Sequence, residues 1–372
     1  MFRFILFILA TLFLPQSAQS RFQVTLQREM QSAKDPVLKS SEAVFSPDGT
    51  FLVVSSAEQA KVWNIRTGSF LVAVQGQFSA PDSYTISSQP SGLWFSSNSD
   101  FLLASGGDIY KLNSSIQSSA AVHLMPSSTK ISVASIYRTR SIDGLQAFGS
   151  RASAWYLAKR LDDRKKRWLE GSFGTVNNVV FSPDGKLVYG FNDGYTWSRS
   201  GDPNVGHLIL WSARTGKVMR RLPYLDESAS RKVSPNYKTV AGVDVTTDTP
   251  DIRLIDIESG AVIRRLMPTT NAYAQYLRPV DFDNYVRLRY SLDSKLLAVK
   301  VADMHETDQG YAPGESRLYF FDARTGKQLF TPAKIVYGYT PLAFSPTTNS
   351  STLLATVRDS DGVVVLWRVS LS

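Results

Sequence analysis

The chain has 372 residues, 43% of them hydrophobic and 20% charged, with a formal net charge of +9. That balance is too apolar for a disordered polymer, and the length suffices to bury a large core. With no cysteine present, disulfides, a thiol nucleophile and any cysteine-ligated zinc or iron–sulfur centre are excluded.

Residues 1–20 stand apart from the rest. Arg3 precedes an apolar run, Phe4–Leu14, interrupted only by Thr11 and ended by Pro15, and Ala18-Gln19-Ser20 supplies small residues at a cleavage position. This is the pattern of a signal peptide, and the run is shorter than the about 20 residues a membrane-crossing helix needs. The expectation is an exported protein, periplasmic or extracellular. Residues 21–372 would form one domain with no transmembrane segment left after the leader is removed.

The mature part repeats. "FSPDG" occurs at Phe45–Gly49 and again at Phe181–Gly185. Serines at comparable sites are Ser46, Ser96, Ser141, Ser182, Ser234, Ser291 and Ser345, spaced 41 to 57 residues apart. Asp or Asn two places on (Asp48, Asn98, Asp143, Asp184, Asn236, Asp293) suits tight turns, because a short polar side chain caps local backbone groups. Apolar runs flank each turn, among them "FLVVSS", "LVYGFN" and "LLAVKV", and read as strands buried on both faces. A further run, such as "KVWNI", "LILWSA" or "LYFFDA", follows and is closed in four units by a glycine turn at Gly68, Gly216, Gly260 or Gly326. Repeats of about this length made of four short strands predict an all-β fold, a seven-bladed β-propeller of four-stranded antiparallel blades. Counts of six and eight stay open. The last unit ends after its third strand. Phe22–Gln27, which alternates apolar and polar, is the expected outer strand that closes the ring.

"SPDGKLVYGFNDG" through "LILWSARTGKVMRRL" (Ser182–Leu222) and "SDGVVVLWRV" (Ser360–Val369) resemble WD-repeat blades or the related bacterial YVTN-type blades. The resemblance spans nearly the whole mature chain and implies the propeller fold. Two family features are missing. No Gly-His pair opens the repeats, and Trp63, Trp211 and Trp367 are followed by Asn64, Ser212 and Arg368 rather than aspartate.

In such a blade the turns between strands one–two and three–four lie on one face of the disc, and the other connections lie on the opposite face. The short Ser and Gly turns all belong to the first face. Gln77–Pro90, Asp193–His207, Pro223–Lys232, Met267–Arg287 and Asp303–Ser316 are expected as long, irregular loops of the second face, where function tends to sit. Their aromatic and arginine residues, Tyr195, Trp197, Arg199, Tyr276, Arg278 and Tyr311, are the candidate contacts for a protein partner. Asp303, His305, Glu306 and Asp308 offer metal-ligand types without the spacing of a known zinc or calcium loop. The basic stretch Lys159, Arg160, Arg164, Lys165, Lys166 and Arg167 suits an anionic surface, or guards an outer strand edge against pairing. No specific nucleic-acid signal accompanies it.

No phosphate-cradling glycine loop and no G-x-S-x-G elbow occurs. With His123, His207 and His305 as the only histidines, a multi-histidine centre is hard to assemble. The expected function is a binding or scaffold module on the long-loop face, with no cofactor. The alternative is a propeller enzyme, lactonase-like or another hydrolase, or a small-molecule or sugar binder, with its site at the channel mouth.

Overall fold

A computed structural model describes residues 22–31, 42–56, 59–75, 93–95, 101–104, 109–111, 122–124, 146–148, 156–158, 164–172, 176–182, 185–192, 207–222, 233–244, 251–266, 286–307, 310–330, 334–337, 342–348, 351–358 and 361–371. The description below concerns these residues. They are all β, without a helix, and every strand pairing among them is antiparallel.

The strands fall into seven sheets. The opening strand β1 (Phe22–Met30) belongs to the last of them. The first sheet is β2 (Glu42–Phe45), β3 (Phe51–Ser55), β4 (Gln59–Asn64) and β5 (Phe70–Gln75). The second is β6 (Leu93–Phe95), β7 (Phe101–Ala104), β8 (Ile109–Lys111) and β9 (Val122–Leu124). The third, of three strands, holds β10 (Gln146–Phe148), β11 (Tyr156–Ala158) and β12 (Arg167–Trp168). The fourth is β13 (Val176–Phe181), β14 (Leu187–Asn192), β15 (His207–Ser212) and β16 (Val218–Leu222).

In the fifth sheet, β17 (Thr239–Asp244), β18 (Asp251–Asp256) and β19 (Val262–Leu266) are joined by a Val233–Val240 bridge where an innermost strand would lie. The sixth is β20 (Val286–Tyr290), β21 (Leu296–Thr307), β22 (Gly310–Asp322) and β23 (Gln328–Phe330), with β24 (Lys334–Tyr337) added on β22. The seventh runs β25 (Ala343–Phe344), β26 (Ser351–Arg358) and β27 (Val363–Leu371), and β1 lies on β27 from Phe22 opposite Leu371 to Met30 opposite Val364.

Packing explains the continuously apolar inner strands. Every residue of β3 is buried, because neighbouring sheets cover both faces of the first sheet's middle strands. The apolar clusters lie between consecutive sheets. Tyr189, Leu210 and Leu222 of the fourth meet Val240 and Ile255 of the fifth. Leu254 and Leu266 of the fifth meet Leu297 and Tyr319 of the sixth. Leu296 and Phe320 of the sixth meet Phe344 and Leu354 of the seventh. Met30, Leu366 and Ala355 of the seventh meet Phe45, Leu52 and Trp63 of the first.

The serine turns share one internal chemistry. The hydroxyls of Ser46, Ser182, Ser234, Ser291 and Ser345, all buried, accept the amide N–H of the following strand's first residues (Phe51, Leu187, Thr239, Leu296, Leu353) at 2.9–3.0 Å. In the turns of Ser46, Ser234 and Ser291 the acidic or amide residue two places on, Asp48, Asn236 or Asp293, accepts the serine's proton and a backbone N–H beyond it. Asn236 and Asp293 do so at 2.8 and 2.7 Å, accepting Lys238 N–H at 3.0 Å and Lys295 N–H at 3.1 Å. The fourth turn position has positive φ: Gly49 and Gly185 occupy it freely, whereas Tyr237 (58°) and Ser294 (61°) adopt it as non-glycine residues.

The glycine turns are equally regular. In each of four, the glycine N–H donates at 2.8 Å to the carbonyl four residues back (Asn64, Ser212, Asp256, Asp322). The side chain of that residue caps the turn: Asn64 and Asp322 accept Thr67 N–H and Thr325 N–H. The Asp of the Trp-Asp ending is therefore missing beside the tryptophans but present at the matching places of sheets five and six.

Candidate functional site

Two regions carry the sequence-based candidates, and the sixth sheet presents the first. Asp303–Ser316 was expected to be an irregular loop; it is instead an extension of β21 and β22. Their register runs on past Ala302 opposite Ser316, through a bulge, to His305 opposite Ala312, Glu306 opposite Tyr311 and Thr307 opposite Gly310. Backbone pairing decides this, since a ladder needs N–H and C=O groups rather than apolar side chains. Strand β24, drawn from the connection after β23, adds to the same hairpin through Glu315 opposite Tyr337 and Arg317 opposite Lys334.

Asp303, His305 and Glu306 thus lie along β21, and Tyr311 lies across from Glu306. Asp308 is outside the described residues, as are Tyr195, Trp197, Arg199, Tyr276 and Arg278. Among the described residues no group of three or more His, Cys, Asp or Glu is gathered to hold a metal ion.

The second region is the outer rim of sheets three to five. Lys159 and Arg160 are outside the described residues, while Arg164, Lys165 and Lys166 are exposed. The Lys166 ammonium sits 4.6 Å from the centre of the Tyr156 ring, which itself packs against Trp168 at 5.0 Å. Arg167 behaves differently. It is half-buried, and its guanidinium donates to the Ala213 carbonyl of the fourth sheet at 2.6 Å.

That contact recurs. Arg220 on β16 donates to Ser259 O of the fifth sheet at 2.6 Å, and Arg28 on β1 donates to Arg66 O of the first sheet at 3.4 Å. Arg264 on β19 lays its stem against Gly326 of the sixth sheet, where an added methyl would meet its Cβ at 2.8 Å. In all four the arginine of an outer strand reaches the glycine turn of the next sheet, and the residue two places on is buried: Met30, Leu169, Leu222, Leu266. Arg-x-Leu/Met was the available signal, preceded by a glycine turn at Arg220 and Arg264. The strand's alternation turns Arg220 and Arg264 inward against a neighbour, although a run of two arginines on an outer strand reads equally as a solvent-facing edge guard.

Around Arg167 the seam between sheets three and four is dense. Glu170 N–H donates to Gly216 O at 2.9 Å, the Trp211 indole N–H to Glu170 O at 2.8 Å, and Val218 N–H to the Glu170 carboxylate at 3.0 Å. At the next seam, Asp256 accepts the Ser259 N–H and hydroxyl at 2.7 and 2.6 Å. Those bonds, with Arg220 nearby, hold its carboxyl below the usual range.

No helix of the described residues is long and apolar enough to cross a membrane. No protein-family model matches the sequence, and no curated protein does. A chain in the crystal structure of a mitotic checkpoint complex is similar over 99% of this chain and 99% of its own, with a TM-score of 0.50 and 17% identity. At that identity the likeness concerns the fold alone, and the fold it supports is a WD40-like β-propeller.

Proposed function

We propose that the chain is an exported, non-catalytic protein-binding module: a seven-bladed propeller, closed by β1, that takes its partner on the face bearing the β21–β22 hairpin. Seven sheets in chain order, and an apolar cluster between the last and the first, support the closed ring. The Arg28 contact supports it too, because it repeats from the seventh sheet to the first what Arg167 and Arg220 do elsewhere. The hairpin carries the functional reading. It extends past its sheet and recruits a fifth strand, giving a paired backbone platform. In the propeller reading the connection from β14 to β15, which contains Tyr195, Trp197 and Arg199, belongs to the same face. Rigid platforms flanked by aromatic and arginine residues suit protein recognition.

The test is a crosslinking pull-down from the native envelope or medium. Intact protein is compared with a chain whose hairpin tip, residues 304–313, is replaced by a two-residue turn, and with Trp197→Ala/Arg199→Ala. One partner held by the intact protein and lost from both variants, at unchanged melting temperature, is the expected result. Equal capture by all three would refute the assignment of the face.

A further inference from the structure

The outward positions of three successive outer strands form a second surface. In β12 and the residue before it, Lys166 and Trp168 face away from the neighbouring sheet, on either side of the inward Arg167. In β16 the same positions are Met219 and Arg221 around Arg220, and in β19 they are Ile263 and Arg265 around Arg264. Each strand therefore shows solvent one apolar and one basic residue. Trp168 is 54% exposed, Met219 62% and Ile263 38%. The seams described above join sheets three, four and five in order, so the pairs stand on successive outer strands.

The architecture does not require this pattern. The matching positions of β5 are Leu71 and Ala73, without a cation, and those beside Arg28 are Gln27 and Glu29, without an apolar residue. Guarding an edge against pairing does not explain it either, because exposed Trp, Met and Ile on an edge invite the association that lysine and arginine prevent.

The charge is concentrated here as well. Residues 164–172, 212–222 and 256–266 contain ten Lys or Arg against three Asp or Glu, a net of +7, where the whole chain carries +9. Two of those three acids, Glu170 and Asp256, are bonded to backbone or hydroxyl groups of their own seams.

From this we infer that the rim of sheets three to five docks on an anionic phospholipid bilayer, the cations meeting headgroup phosphates while Trp168, Met219 and Ile263 enter the interface. Cations interleaved with protruding apolar side chains are what a lipid surface takes up, since it offers negative charge and a hydrocarbon boundary within a few ångströms. An acidic protein would use the charges but leave the three apolar side chains without a matching layer. The rim carries the glycine turns, on the face opposite the hairpin, so this inference is independent of the protein-binding reading.

The experiment is flotation of the full chain with phosphatidylcholine vesicles, with and without phosphatidylglycerol. Arg3 and the leader run Phe4–Leu14 are common to every variant, so the differences among rim variants report the rim. Binding should need phosphatidylglycerol and fall with salt, and Lys166→Gln, Arg221→Gln and Arg265→Gln should each lower partitioning about fivefold. Met219→Ser/Ile263→Ser should weaken binding while preserving its salt dependence. Brominated lipid should quench a tryptophan emission that Trp168→Phe removes, a readout independent of how the other variants fold. Equal binding to both vesicle types, quenching unchanged by Trp168→Phe, or capture of poly-glutamate without vesicle binding would each overturn the inference.

Discussion

Gly171 and Gly216 sit at the same seam between sheets three and four, and both have positive φ, +66° and +73°. A methyl group on Gly171 would meet nothing within 4 Å, whereas one on Gly216 would overlap the Trp168 carbonyl oxygen and lie 3.1 Å from its carbon. The pair therefore separates backbone strain from close approach. Gly171→Ala pays the left-handed conformation, about 1–2 kcal/mol, less about 0.4–1 kcal/mol regained by restricting the unfolded chain. Gly216→Ala pays that and must also push a backbone strand aside. Overpacking of this kind costs about 1–3 kcal/mol, and the Glu170 N–H bond to Gly216 O, weakened by the shift, about another 1 kcal/mol. The expected totals are about 1 kcal/mol and about 3–5 kcal/mol. Urea unfolding measures both as shifts of midpoint at unchanged slope. Gly68→Ala should fall between them, since its obstacle is the mobile end of Arg28 rather than backbone. A Gly216→Ala loss no larger than that of Gly171→Ala would refute the seam as described.

Met30, 2% exposed between the seventh and first sheets, should cost about 2–5 kcal/mol as Met30→Ala and open β1 to limited proteolysis; a loss under about 1 kcal/mol would mean that β1 does not seal that interface. Ser291→Ala leaves the buried Leu296 N–H without its side-chain acceptor at 2.9 Å and should cost about 1–3 kcal/mol in the same urea assay, while Ser351→Ala, on an exposed turn, should cost little. The Asp361 carboxyl, held below its ordinary 3.8 first by hydrogen bonds from Arg358, stabilises the fold above that value and loses the contribution as pH falls through its lowered one. Asp361→Asn should therefore flatten the acid limb of a pH–stability profile below about pH 4 and leave neutral stability close to its own plateau; an unchanged acid limb would contradict the pairing.

Much of the architecture was legible because its signals are local. A serine followed two places later by Asp or Asn forms its turn from its own hydroxyl and carboxyl groups, so Ser46, Ser234 and Ser291 announced themselves without knowledge of any neighbour. The glycine turns did the same through positive φ at Gly68, Gly216, Gly260 and Gly326. The hairpin did not. Gly310, Pro313 and Gly314 in "QGYAPGES" argue against a strand by propensity, yet β22 passes through them because the ladder to β21 supplies the energy.

Composition, turn spacing and apolar periodicity thus determined by themselves an all-β chain of serine- and glycine-turned units, since each depends on residues a few places apart. Which arginine of a pair faces a neighbouring sheet depended on tertiary structure alone. Arg220 and Arg221 are identical letters, but a strand sends successive side chains to opposite sides. One of them reaches Ser259 across a seam formed by chain about forty residues away, and the other joins Met219 on the rim.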